Sequence, residues 1–154
     1  EEGGKCGKSL EAGRAVQEFR EQKDDTLPKW HVLMAEDNGL NMEIARTILE
    51  ESGLSVDCAV NGQEAVELFC NSSPGTYDAI LMDLQMPVMD GYTAAREIRS
   101  SSHPQAAYIP IIALTANAFA EDIARAMTSG MNDHVAKPVD FGKLLAILKK
   151  HIGD

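Results

Sequence analysis

YDAILMDLQMPVMDG, residues 77–91, is the stretch that decides the fold. YDAILMD reads as a strand buried on both faces, because its apolar residues run on without alternation until the acid Asp83. The Met-Pro and Asp-Gly pairs that follow are turn formers, so the loop behind Asp83 has a defined shape. Tyr92, Ala95, Ile98 and Arg99 then recur at helical spacing. Strand, shaped loop and helix make one βα unit, with a carboxylate at the strand's carboxyl end.

The same unit repeats on both sides. Upstream, HVLMA (31–35) is a short apolar run ending in Glu36-Asp37-Asn38. Leu40, Ile44, Ile48 and Leu49 follow at helical spacing until Gly53 stops the turn. LSVDCAV (54–60) alternates like a strand, and Asn61 with Glu64 three residues on forms a variant of the capping box that opens a helix. Downstream, PIIALT (110–115) is a fourth strand, and Ile123 and Met127 mark the inward stripe of a helix that Gly130 ends. A short strand around His134 to Ala136, then Lys137-Pro138 and a helix bearing Leu144, Leu145, Ile147 and Leu148 complete five repeats. Apolar strands separated by helices require a parallel sheet covered on both faces, hence a five-stranded, doubly wound α/β fold. Such sheets bind ligands beyond the carboxyl ends of their strands. Glu36, Asp37, Asp83, Thr115 and Lys137 all fall there.

Composition sets limits on function. Of 154 residues 44% are hydrophobic, enough for a core. Regular apolar blocks begin only near residue 30, so the domain is placed at 30–154, with 1–29 a linker or remnant of an upstream domain. The string GGKCGKS near the start lacks the spacing and the preceding strand of a P-loop. The net charge is −10; residues 1–30 hold seven of the 24 acids and six of the 14 bases, leaving 17 acids against 8 bases for the rest. An acidic domain opposes direct nucleic-acid binding. Cys6, Cys58 and Cys70 form no CxxC pair and are odd in number, which fits a reducing, cytoplasmic setting. No membrane-length apolar run is present, so any membrane anchor of the full-length protein would lie outside this sequence.

Three carboxylates gathered in one crevice repel one another and call for a compensating cation. With no His or Cys beside them, an all-oxygen set suits Mg²⁺, with Mn²⁺ as substitute, better than zinc or copper. A carboxylate can attack phosphorus to give an acyl phosphate, whose charged oxygens must be met by fixed positive charge and donors. The metal, the Lys137 ammonium, the Thr115 hydroxyl and loop N–H groups would supply them. Each residue has a plainer reading: Glu36 and Asp37 as acids at a helix start, Thr115 as a backbone-bonding strand end, Lys137 as a turn residue. Their convergence on strand ends favours the site. His31 and His151 read as solvated and His103 as part of a polar loop, while Met82, Met86, Met89, Met127 and Met131 read as packing.

MAEDN, MDLQMPVMDG, ALTANA and AKP, in this order on these strand ends, resemble the receiver domain of two-component response regulators over about residues 31–150. EDNGLN, PIIALTANA and GMNDHVAKP are similar to the receivers of hybrid sensor histidine kinases and multistep phosphorelays. The resemblance implies a flavodoxin-like sheet of order 2-1-3-4-5. It implies that Asp83 is the phosphoacceptor and that Asp37 and Asp83 hold the metal directly, with Glu36 bound directly or through water and Gln85 contributing its backbone carbonyl. Lys137 would pair with the phosphoryl group, Pro138 would follow a cis peptide, and Thr115 would be the switch hydroxyl. His134 stands where many receivers carry Tyr or Phe as partner to that switch.

The implied function is that of a phosphoacceptor. It takes phosphate from a phosphohistidine on a histidine kinase or phosphotransfer protein, changes the surface of the fourth helix, fifth strand and fifth helix, and slowly loses phosphate to water. That is a switch rather than a turnover enzyme. An aspartyl-nucleophile phosphatase of related architecture would need an acid two residues after Asp83, where Gln85 stands. A phosphorylation-independent docking domain would be expected to have lost one of the site residues, and none is lost.

Overall fold

A computed structural model describes residues 29–116 and 119–152. Its elements alternate throughout: β1 (His31–Ala35), α1 (Gly39–Glu51), β2 (Ser55–Ala59), α2 (Gly62–Cys70), β3 (Ala79–Asp83), α3 (Gly91–Arg99), β4 (Ile111–Thr115), α4 (Ala120–Thr128), β5 (Asp133–Ala136) and α5 (Phe141–Ile152). All pairings are parallel and the order is β2-β1-β3-β4-β5, the order the resemblance implies. The switch in direction of winding falls between β1 and β3, so the loops after these strands open a crevice.

Side-chain alternation divides the core. Leu33, Ala35, Ile80, Met82, Ile111 and Ala113 pack on one face with Ala65 and Phe69 of α2 and Ala94, Ala95 and Ile98 of α3. Their neighbours Val32, Met34, Leu81, Ile112 and Leu114 pack on the other with Met42, Ala45 and Leu49 of α1 and Leu144, Leu145 and Leu148 of α5. β3 and β4 are buried at every position, which is why their sequences show no polar alternation. Trp30 is buried with the second cluster.

The start of α2 shows how local chemistry fixes an element. Asn61 Oδ1 accepts from the Glu64 N–H at 2.8 Å, and Glu64 Oε1 reaches back to the Val60 N–H at 2.7 Å, one residue before the position a standard capping box uses. Gly53 ends α1 and Gly130 follows α4 at φ 104° and 106°, backbone that favours glycine.

Several expectations are corrected. Leu40 and Ile44 are exposed, at 70% and 42%; the inward stripe of α1 is Met42, Ala45, Ile48 and Leu49. Met127 does not mark an inward stripe of α4, which buries only Ala126. His103 is buried: the Gln105 N–H donates to its Nδ1 at 3.0 Å, which leaves Nε2 to donate to the Ser72 carbonyl at 3.0 Å. His31 and His151 each meet an acid, Asp57 at 3.2 Å and Asp133 at 2.9 Å. The readings of residues 1–28, GGKCGKS and Cys6 among them, lie outside the described residues. Cys58 and Cys70 are free thiols.

Candidate functional site

β1 and β3 deliver their acids side by side because Ala35 and Met82 are in register, so each strand's next residue emerges at the same edge. Glu36 is held by the chain on both sides: its N–H donates to the Ala59 carbonyl at 3.0 Å, and its Oε2 accepts from the Asn38 N–H at 3.1 Å. Asp83 Oδ1 accepts from the Gln85 N–H at 3.3 Å. Lys137, the residue after β5 and before a cis peptide to Pro138, joins them: its Nζ donates to Asp83 Oδ2 at 2.9 Å and to Glu36 Oε1 at 3.0 Å. Glu36 and Asp83 are nearly sealed from water at 3% and 5% exposure, while Asp37 is exposed.

The charge states follow from this packing. Burial pushes the Asp83 carboxyl above the ordinary carboxylate range, and Glu36 beside it adds to the rise, against the downward pull of Lys137. Burial works to lower Lys137, but the hydrogen bonds and charges of Asp83 and Glu36 prevail and hold its ammonium above the usual lysine value. The lysine is therefore a fixed cation bridging two otherwise repelling acids.

These residues border an open cleft of about 250 Å³ that Thr115, Gln85, Asn38, Asn41, Tyr92 and Asp122 also line. Glu36, Asp37 and Asp83 each offer an oxygen, all within 4.8 Å of one another. Oxygens around a six-coordinate Mg²⁺ lie about 3–4 Å apart, so small side-chain rotations would bring this set to the spacing such an ion needs. A hard, all-oxygen donor set at the mouth of a cleft fits magnesium and leaves zinc and copper without their preferred ligands. Next to it stand a nucleophilic carboxylate, a fixed ammonium and a buried hydroxyl, the groups that phosphoryl transfer to a carboxylate requires.

The family model described as the response regulator receiver domain matches residues 32–149. The chain belongs to the response regulator receiver domain family. Among its curated relatives, the aerobic respiration control sensor protein ArcB of Escherichia coli is 38% identical over 135 residues, 88% of this chain and 17% of that protein. Hybrid signal transduction histidine kinase L of Dictyostelium discoideum is 38% identical over 142 residues, 90% of this chain and 8% of that protein. This receiver thus spans less than a fifth of the curated relatives it matches. Among solved structures, the receiver domain of a sensor histidine kinase from Pseudomonas aeruginosa, with a magnesium ion coordinated in its active site cleft, superposes with TM-score 0.73 at 39% identity, covering 82% of this chain and 100% of that one. The receiver domain of the Saccharomyces cerevisiae response regulator Ssk1, solved with the histidine phosphotransfer protein Ypd1, superposes with TM-score 0.72 at 34% identity, covering 82% and 91%.

Of the residues read from sequence, this receiver brings Glu36, Asp37, Asp83, Gln85, Thr115 and Lys137 to one cleft. It leaves His134 apart: that side chain lies half-buried on β5, its Nδ1 3.9 Å from Asp133 Oδ1, and does not line the cleft. Sequence reading did not place Asn38, Asn41, Tyr92 or Asp122 at the site. Asn38 adjoins the acidic pair, and Asn41 lies one helical turn further on, its N–H donating to Asn38 Oδ1. Tyr92 and Asp122 sit on helices whose facing depends on packing, and no local signal marks them. No helix among the described residues is long and apolar enough to cross a membrane.

Proposed function

We propose that this receiver accepts a phosphoryl group on Asp83 in a Mg²⁺-dependent step, from a phosphohistidine on a histidine kinase or histidine phosphotransfer protein, as the receiver portion of a hybrid sensor histidine kinase. The observation that carries the reading is the bridge of Lys137 Nζ to Asp83 Oδ2 and Glu36 Oε1 at 2.9 and 3.0 Å, with Asp37 completing an oxygen trio. The bridge gives the nucleophile a fixed orientation before the donor arrives.

Glu36, Asp37 and Asp83, with the Gln85 backbone carbonyl, would hold the ion. Bound there, Mg²⁺ supplies the positive charge that offsets the acids and meets the oxygens of the transferring group. An Asp83 carboxylate oxygen forms a bond to phosphorus as the phosphorus–nitrogen bond to the donor imidazole breaks, and the bonding pair returns to the ring nitrogen. Lys137 Nζ, already at the carboxylate, pairs with the phosphoryl oxygens, and the Thr115 hydroxyl turns toward them. Hydrolysis of the acyl phosphate by water resets Asp83. The phosphorylated form biases the packing of α4, β5 and α5, a population shift. Leu40 and Ile44 are exposed on α1, the helix whose Asn41 lines the cleft, and offer apolar contact to a protein donor.

Intact mass after incubation with Mg²⁺ and acetyl phosphate tests the reading: a gain of about 80 Da is expected, absent in Asp83→Asn and absent with chelator. Equal labelling of the variant would exclude Asp83, and undiminished labelling under chelation would exclude the metal role of Glu36 and Asp37.

A further inference from the structure

Among the described residues, α4 is lightly anchored beside the site. α1, α2 and α3 each start on a side chain, Asn38, Asn61 and Asp90, that accepts a hydrogen bond from the first turn, whereas Phe119 at the start of α4 supplies none. A first turn with no side-chain cap among the described residues opens more readily than a capped one. Ala126 is the one residue that α4 buries. The far end is fastened by polar contacts from α3: Arg96 Nη1 donates to Ser129 Oγ at 3.1 Å and Arg99 Nε to the Gly130 carbonyl at 2.8 Å. In the last turn, one turn before that fastening, Arg125 lies over the Tyr92 ring, its guanidinium carbon 4.0 Å from the ring centre.

Tyr92 is fixed to the backbone of the acceptor strand. The Gly91 N–H donates to the Leu84 carbonyl at 2.9 Å, and a Cβ at 91 would strike the Asp83 carbonyl, so the first turn of α3 is locked to the phosphoacceptor's backbone. Asp122, three residues before Arg125 on α4, lines the same cleft as Asp83 and Tyr92. One helix therefore carries a cation seated on a fixed ring and an anion at the acceptor's cleft.

We propose that Asp122 and Arg125 make α4 an electrostatic lever. Phosphorylated Asp83 carries a charge of about −1.5 to −2 where the carboxylate carried one. Although the cleft is open, Asp83 itself is buried, and charge at a protein surface is screened less than in bulk water. The Asp122 carboxylate is driven outward, α4 pivots about the end fastened by Arg96 and Arg99, and Arg125 leaves the Tyr92 ring. This rests on the Asp83 assignment above and supplies its route to α4 without a role for His134.

Hydrogen exchange across residues 120–128, read beside intact mass with Mg²⁺ and with or without acetyl phosphate, tests the lever. Phosphorylation of the wild type should speed exchange there about two- to fivefold, the factor one modest cation–π contact carries. Arg125→Gln should exchange at the faster rate before phosphorylation. Asp122→Asn should reach the phosphorylated mass while its α4 stays slow, and the wild-type response should shrink in 1 M salt, where the screening length falls to about 3 Å. Glu121→Gln, which removes an exposed acid from the same turn but not from the cleft, should respond as wild type. A phosphorylated wild type with unchanged α4 exchange, or an Asp122→Asn chain that responds in full, overturns the lever and leaves Asp83 standing. A wild type that gains no mass overturns both.

Discussion

Asp83→Asn should make the magnesium-free receiver more stable while abolishing phosphorylation. At 5% exposure Asp83 is held above the ordinary carboxylate range by burial and by Glu36, despite a 2.9 Å hydrogen bond from Lys137. A raised value in the folded chain means that ionising Asp83 costs more there than in the unfolded chain. The stability linked to this group is thus fully present below the unfolded value and is lost as pH rises through the folded value. Asparagine has nearly the same shape and no charge, so it removes that loss. Against this stands a charge-assisted hydrogen bond of about 1.5–3 kcal/mol, but the amide oxygen still accepts and Lys137 keeps Glu36 at 3.0 Å. The upward direction of Asp83 says that relief wins, because Glu36 keeps Lys137 paired while the second buried acid no longer has to ionise beside it; the gain is about 1 kcal/mol, the scale of a single substitution. For a domain of this size that is about 3–5 °C in Tm. Thermal melts in chelator from about pH 4 to pH 8 should show the variant above wild type, with a gap that widens as pH rises. Mg²⁺ should reverse the order, because an ion at a hundred times its Kd adds about 2.7 kcal/mol to a chain that binds it and little to one lacking a ligand. A variant that melts below wild type in chelator near neutral pH, or a gap that narrows with rising pH, would refute this reasoning.

Lys137→Met should have the opposite effect, leaving two buried acids face to face; losing one partner of a buried pair costs about 3–5 kcal/mol, reduced to about 2 by the open cleft, and urea unfolding in chelator measures it. Leu40→Asp should slow transfer from a histidine phosphotransfer protein at least about tenfold, the weight of one interface anchor, while labelling by acetyl phosphate stays unchanged; equal slowing of both would disprove a docking role. Burial works to raise Asp57, but the Tyr77 hydroxyl at 2.7 Å and His31 outweigh it and hold the carboxyl below its ordinary value. The stability this contributes is present above the unfolded value and lost as pH falls, so Tyr77→Phe should melt with a shallower acid dependence below about pH 5. Asp57 is 46% exposed, so the effect is small, and parallel curves would count against it.

β1, β3 and β4 were legible because strands buried on both faces show uninterrupted apolar runs, and the strand-end acids and Lys137 were legible because chain order in such a sheet places them at one rim. The helix faces were harder. α1 offers two overlapping stripes at helical spacing, one through Leu40 and Ile44 and one through Met42 and Ala45, and periodicity alone does not say which faces the sheet. His103 does lie in the loop the sequence places it in, but its burial was not legible because its partner at Ser72 lies 31 positions away. Tyr92 and Asp122 reach the cleft through the seating of α3 and α4, a matter of tertiary packing with no counterpart in local pattern.

Charge bookkeeping connects the resting cluster to the switch. Three carboxylates and one ammonium leave a formal charge of −2, which a divalent ion cancels. Phosphorylation replaces one carboxylate charge with about −1.5 to −2, so the balance fails by up to about one negative charge. Lys137 is already counted in the resting balance, so its pairing with the phosphoryl oxygens adds no new positive charge, and Glu36 and Asp83 are held by backbone N–H groups. The acid at the cleft that rides on a lightly buried helix is Asp122, so the surplus does its mechanical work where resistance is least. A receiver built this way needs no large rearrangement at the acceptor itself; the rigid side defines the charge and the loose side moves.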